Sequence, residues 1–258
     1  MKIMWCGTAS LLLESGGTRL LIDPYLRKYD RKGAPFPMEE ARSADAIFIT
    51  HPHLDHFADT DAFAEGKIPV YVSARGIGIA RGNGMDVSVM REITAGDRVR
   101  VGAFEIAAFS GRHCVFDMPT VSRVLFSPHT WLHIGKALRL LGEAKRFSIA
   151  LDDVLVFSVT DGEKRVVLLG SAGMAEGQDY PQNAELLVFP YQGMSAMHRK
   201  IAPFLDAFRP KKVMIDHFDD AFPPISSRVP TKKFAAAVKK RLPEAQALVP
   251  EMNMWYEV

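Results

Sequence analysis

Four residues with metal-binding side chains fall within six positions, His51, His53, Asp55 and His56, inside the stretch AIFITHPHLDHFAD that runs from Ala46 to Asp59. Neutral imidazole is the commonest protein ligand for a divalent transition metal, and an ion needs two to four convergent ligands to stay bound. His51 and His53, two apart on a short loop, can present their rings to one ion, while Asp55 and His56 turn toward a second point nearby. A lone buried histidine is ordinarily a satisfied core residue. Four ligand-type side chains crowded at the end of an apolar run do not fit that description.

The elements around this cluster follow from periodicity and turn chemistry. KIMWCG, SLLLES and TRLLIDPY are short apolar runs, the last two joined by Gly16-Gly17, and they predict an antiparallel meander with a tight turn. A charged, Pro-containing loop, LRKYDRKGAPFPMEEARSAD, leads into the strand AIFIT. After the cluster, ADTDAFAEG predicts a short capped helix ended by Gly66, and IPVYVS the next strand. A strand, loop, helix, strand unit builds parallel sheet, with functional loops at the carboxyl ends of the strands. The histidines sit at such an end. Farther on, AGDRVRVGAFEIAAFSGRH predicts a hairpin whose second strand points at His113. FSIALDDVLVFSVTDGEKRVVLLGSAG predicts another, turning at Asp161-Gly162, and AELLVFPYQG, HRKIAPFLDAF and KKVMIDHFDDAFPP repeat strand, helix, strand. Between the hairpins, SPHTWLHIGKALRLLGEAKRF has helical spacing and predicts an inserted helix, the centre of a cap spanning 116–147.

THPHLDHF, followed by SGRH and a late IDHF, resembles the H-x-H-x-D-H signature and motif order of the metallo-β-lactamase superfamily over essentially the whole chain. Through LLIDP and HFDDAFPP it is most similar to the smaller metal-dependent hydrolases that include ascorbate phosphate lactonase-like proteins. The resemblance implies an α/β fold, a four-layer αβ/βα sandwich with two sheets packed face to face, formed by residues 1–258 as a single unit. It implies a three-histidine site of His51, His53 and His113, and a second site of Asp55, His56 and His217. A metal pair about 3.5–4 Å apart can share a hydroxide of near-neutral pKa, a nucleophile that needs no serine or cysteine. Asp55 in its family place would bind metal and orient that nucleophile.

The chain departs from the family at LLGSAG, where Ser171 stands in place of an aspartate that bridges both metals in many members. A neutral hydroxyl bridges poorly, so the second ion should bind more weakly. Three outcomes stay open: a dinuclear site in which Ser171 hydrogen-bonds the hydroxide or substrate, a single ion on His51, His53 and His113, or loss of catalysis. Asp152 and Asp153 are expected on the far side of the strand from Ser171 and so are not substitutes.

Other residues carry two readings each. Asp23 either accepts a ring N–H from a ligating histidine or is the turn residue before Pro24. Asp219 and Asp220 either act similarly or start a turn. His129 and His133 lie one helical turn apart but match no family ligand; the helix around Trp131 either lines the substrate entrance or packs against core or partner. His198 is expected to be structural. Tyr25, Arg112 and Tyr191 adjoin motif residues and could meet an anionic substrate. ARGIGIARGNGM crowds Gly76, Gly78, Gly82 and Gly84 but lacks a G-K-[ST] ending, and predicts a helix rather than a phosphate loop.

The 258 residues are 48% hydrophobic and 24% charged, enough for a packed core, and 32 basic against 30 acidic residues leave no concentrated basic stripe for nucleic acid. The lysines of TKKFAAAVKKRLPEA read as a solvated helix face. Cys6 and Cys114 alone make no disulfide framework, which fits a reducing compartment. The first residues break too soon for a signal sequence, and no run approaches the roughly 18 apolar residues of a membrane span. A cytoplasmic protein with a small-molecule substrate and no nucleic-acid or membrane partner is expected, its oligomeric state open. The expected activity is hydrolysis of an ester, lactone or phosphodiester by a metal-bound hydroxide. One or two divalent ions would serve, Zn²⁺ first, with Mn²⁺ or Fe²⁺ as alternatives. The competing expectation, motivated by Ser171, is a non-catalytic metal- or ligand-binding member of the same fold.

Overall fold

The computed structural model describes residues 1–26, 34–148 and 150–258. Part of the charged loop expected after Tyr25 therefore lies outside the described residues. The first half of the chain holds β1 (Lys2–Gly7), β2 (Ser10–Ser15), β3 (Thr18–Ile22), α1 (Met38–Arg42), β4 (Ala46–Phe48), α2 (Leu54–Phe57), α3 (Asp61–Ala64), β5 (Val70–Val72), α4 (Ala74–Gly82), β6 (Met90–Glu92), β7 (Arg98–Val101) and β8 (Phe104–Ser110). The second half holds α5 (Met118–Leu125), α6 (Pro128–Leu132), α7 (Ile134–Ala144), β9 (Leu155–Thr160), β10 (Arg165–Leu169), β11 (Leu186–Pro190), α8 (Met197–Lys200), α9 (Ala202–Phe208), β12 (Lys212–Asp216), α10 (Phe234–Arg241), β13 (Gln246–Leu248) and β14 (Trp255–Glu257).

Two seven-stranded sheets result, ordered β14-β1-β2-β3-β4-β5-β6 and β13-β12-β11-β10-β9-β8-β7. Each begins antiparallel, in β1-β2-β3 and β7-β8-β9-β10, and continues parallel, in β3-β4-β5-β6 and β10-β11-β12-β13. Alternation along the strands explains the layers. Ile3 and Trp5 of β1 join a core with Phe104, Ile106 and Phe157 of the other sheet. Their neighbours Met4 and Cys6 instead pack with Ala41, Phe63 and Ala80 of the helices outside. Strands buried on both faces read as unbroken apolar runs, as these do. Phe204, Phe208, Phe234 and Val238 of α9 and α10 complete the main core from the opposite side. The four-layer αβ/βα arrangement is thus built as the resemblance implies.

The turns match their chemistry, with Gly16 and Gly17 at φ +56° and +77° between β2 and β3. The glycine-rich stretch is α4, capped by the Ser73 hydroxyl, which accepts from the Gly76 N–H. A Cβ on Gly76 would meet Val72 Cγ2 at 2.3 Å, so that glycine serves close helix-on-strand packing.

Two expectations need correction. The inserted segment is three short helices and not one: Asp117 and Ser127 each cap a new start, each with Pro in the first turn. Asp152 and Asp153 lie at the same end of the sheet as Ser171, because β9 and β10 are antiparallel and Val156 pairs with Leu169. They nonetheless turn away, Asp153 accepting from the Ser73 hydroxyl at 2.9 Å and Asp152 facing Arg75 at 3.4 Å.

Candidate metal centre

All the expected ligands leave strand ends on one edge of the sandwich. His51 and His53 follow β4, and His53 is the N-cap of α2, which carries Asp55 and His56. His113 follows β8, Ser171 follows β10 and His217 follows β12. The ligand atoms of His51, His53 and His113 lie within 4.8 Å of one another, and so do those of Asp55, His56 and His217. The two triads abut, with the rings of His51 and His56 at 3.9 Å between centroids. His56 Nε2 and His217 Nε2 are 3.2 Å apart, with Asp55 Oδ2 at 3.7 and 3.9 Å from them.

The imidazole hydrogen bonds decide whether this donor set fits a metal. Four of the five rings have one nitrogen hydrogen-bonded to a protein oxygen, and the fifth faces a carboxylate. His51 Nδ1 is 3.0 Å from Thr50 Oγ1, His53 Nε2 3.2 Å from the Ala150 carbonyl and His113 Nδ1 2.8 Å from the Cys114 carbonyl. His56 Nδ1 is 2.8 Å from Asp23 Oδ2, and His217 Nδ1 faces Asp216 Oδ1 at 3.1 Å as an ion pair outside hydrogen-bond geometry. Because Thr50 Oγ1 donates to Asp23 Oδ2 at 2.5 Å, its lone pairs face the histidines, and the ring protons of His51 and His56 belong on Nδ1. The second nitrogen of each ring is left to the centre. His51 Nε2 in particular is buried without a hydrogen-bond partner, a costly state that a metal ion would relieve. The residues fit the group.

Backbone geometry supports this arrangement. Thr8, Asp23 and His217 all adopt positive φ, +49°, +45° and +54°. For non-glycine residues such strain persists only where the surroundings enforce it. The Asp23 N–H donates to the Phe48 carbonyl, the His217 N–H to the Thr8 carbonyl, and the Thr8 N–H to Asp219. Asp219 therefore fixes the β1-β2 turn under His217, while Asp220 accepts from the Ser226 hydroxyl. A Cβ on Gly170 would meet Thr50 Cβ at 2.4 Å, so this glycine lets the end of β10 close against Thr50.

Charge follows burial and neighbours. Burial and the facing imidazoles hold His51 well below the ordinary histidine range, and burial with His113 takes His53 to about 4. Burial opposes protonation of His217 too, but the Asp216, Asp55 and Asp219 carboxylates override it and push the ring up to about 9. Burial raises the Asp55 carboxyl, and His56, His217 and His53 more than reverse this, leaving it below the usual range.

Ser171 is buried at the edge of the centre, and its Oγ accepts from the Cys114 N–H at 3.1 Å, bracing the residue after His113. Asp23 is the carboxylate behind His56; its partner Thr50, and Asp216 behind His217, were not singled out in the sequence. A carboxylate immediately before a late histidine was the signal for Asp216. Tyr25 and Tyr191, which adjoin motif residues and could meet an anionic substrate on the sequence alone, are fully buried: Tyr25 packs on Phe222 and Tyr191 on Phe234. Arg112 is exposed beside His113. His129 and His133 face each other edge-on at 4.8 Å on the exposed cap and join neither ligand group. His198 is half-buried in α8. Trp131 faces solvent and does not line the centre; of the cap aromatics, Phe116 comes near, its ring 6.3 Å from that of His113.

Residues 18–202 match the model of the beta-lactamase superfamily domain, a stretch that holds every expected ligand except His217. The chain belongs to the beta-lactamase superfamily. Its curated relatives include a UPF0173 protein of Pyrococcus furiosus, 34% identical over 127 residues, which are 46% of this chain and 52% of the relative. A UPF0173 metal-dependent hydrolase of Azorhizobium caulinodans is 31% identical over 44% of this chain and 49% of its own. The chain thus spans about half the length of the curated relatives it matches. Among solved structures, Igni18, a metallo hydrolase of Ignicoccus hospitalis, aligns over 100% of this chain and 98% of its own at TM-score 0.63 and 16% identity, a likeness of fold. Among the described residues, no helix is long and apolar enough to cross a membrane.

Proposed function

We propose that this protein is a metal-dependent hydrolase of small esters, lactones or phosphodiesters. The observation that carries this is the set of five histidines, four with one nitrogen hydrogen-bonded to a protein oxygen and His217 with one facing the Asp216 carboxylate, whose other nitrogens are left to a shared centre that also holds Asp55. Divalent ions held by His51, His53 and His113 and by Asp55, His56 and His217, Zn²⁺ first among the candidates, would supply Lewis-acid polarisation of the substrate and a lowered pKa for water. The chain's own groups do the rest. Thr50 and Asp23 keep protons on the outer nitrogens of His51 and His56. Asp55, held ionised among imidazoles, is placed to accept a proton and orient a nucleophile. Ser171, whose oxygen accepts from Cys114, keeps a hydroxyl proton to donate toward the substrate. Arg112, exposed beside His113, is placed to meet an anionic group. The name of the Azorhizobium relative supports the reaction class, and the near-balanced charge argues against a nucleic-acid substrate. A cytoplasmic small-molecule enzyme is the reading we adopt.

Ser171 also favours a second reading, a non-catalytic member that binds metal or ligand. Hydrolysis of a panel of generic esters, lactones and phosphodiesters separates the two. Activity lost with chelator, regained with Zn²⁺ or Mn²⁺ and lowered at least about 100-fold by Asp55→Asn is expected of the hydrolase. Metal-loaded protein inert across the panel would favour the second reading.

A further inference from the structure

Ten of the thirteen exposed large hydrophobic residues in the described chain lie between Val115 and Leu141, on and just before the cap helices α5, α6 and α7. Phe126 and Leu132 are 81% and 80% exposed, and Met118, Trp131 and Leu138 more than half. Scattered apolar side chains are ordinary on a surface; a concentration in one segment marks a contact site. The cap is also held in place and has not merely failed to collapse. Asp117 accepts from the N–H and hydroxyl of Ser195, Thr130 donates to the Pro224 carbonyl, and Arg146 donates to Asn83.

We propose that this face is an interface with a second copy of the chain. Its area suits that occupant: ten such side chains at these exposures present about 1,000 Å², against the roughly 800 Å² per partner of a stable standard-size interface. Its pattern suits it too. Ile134, Leu138 and Leu141 follow the four-three spacing of a helix-packing seam, a narrower stripe than a helix lying on lipid presents. Beside them an added Cβ on Gly135 or Gly142 would meet nothing within 4 Å, so a neighbouring backbone can approach closely there. The net charge of +2 opposes self-association little. Since Phe116 belongs to this face and neighbours His113, the second copy would border the mouth of the metal centre.

Sedimentation velocity of the full chain at about 10 µM, a concentration at which a standard-size interface is assembled, tests this. The expected result is twice the 28.7 kDa chain mass, falling to 28.7 kDa for Leu138→Glu and for Leu132→Glu with unchanged circular dichroism. A monomeric parent protein would overturn the proposal, as would variants that stay dimeric. Flotation with phosphatidylcholine–phosphatidylglycerol vesicles of a monomeric parent protein, abolished by Leu138→Glu, would assign the face to lipid instead.

Discussion

Asp23 and Thr50 join the two halves of the centre, since one carboxylate and one hydroxyl serve His51 of one triad and His56 of the other. Removing such a partner typically costs 10–100-fold in metal affinity. Asp23→Ala should therefore lose about that factor at both sites in a competition with a fluorescent chelator; an unchanged affinity would refute its role. Proton competition should order the loading of the metal-free protein. His217, pushed up to about 9, is protonated at neutral pH and must give up its proton to bind metal, so affinity at that triad should fall about tenfold per pH unit below 9. His53 near 4 and His51, also held low, are already neutral, so the three-histidine site should fill at pH 6. Equal weakening of both sites on acidification would contradict this. The clustering of His51, His53, Asp55 and His56 was legible in the sequence because they are local. Asp216 was less so, because its contact depends on the left-handed turn at His217, which no spacing rule reveals.

Elements carry the next scale. Gly170 lets β10 close on Thr50, and Gly170→Ala should destabilise the fold by about 1–3 kcal/mol through overpacking, read as a lowered midpoint in denaturant, with weakened metal binding alongside. Asp117 both caps α5 and ties the cap to Ser195. Asp117→Ala should cost about 1 kcal/mol and open residues 117–147 to limited proteolysis before the rest of the chain; uniform resistance would mean the cap is anchored elsewhere. Most strands were legible, since short unbroken apolar runs and the Gly16-Gly17 turn are strong local signals. The cap was not resolved into three helices, although Ser127-Pro128 marks the second start. Asp152 and Asp153 were placed on the far side although the Asp161-Gly162 hairpin, itself legible, brings the start of β9 and the end of β10 to the same end of the sheet.

At the scale of the molecule, two sheets with the same antiparallel-then-parallel plan bring the ends of four strands, β4, β8, β10 and β12, to one edge, and neither half alone holds a full triad pair. The four layers followed from the motif order, but the exposed apolar cap did not, because helical spacing does not say which face meets solvent. The central claim is that both triads hold metal despite Ser171. Elemental mass spectrometry on tag-free protein purified without chelator at pH 8 tests it directly. The expected result is about two divalent ions per chain, about one for His217→Ala and a matching loss for His51→Ala. About one ion or none in the parent protein would contradict the paired centre.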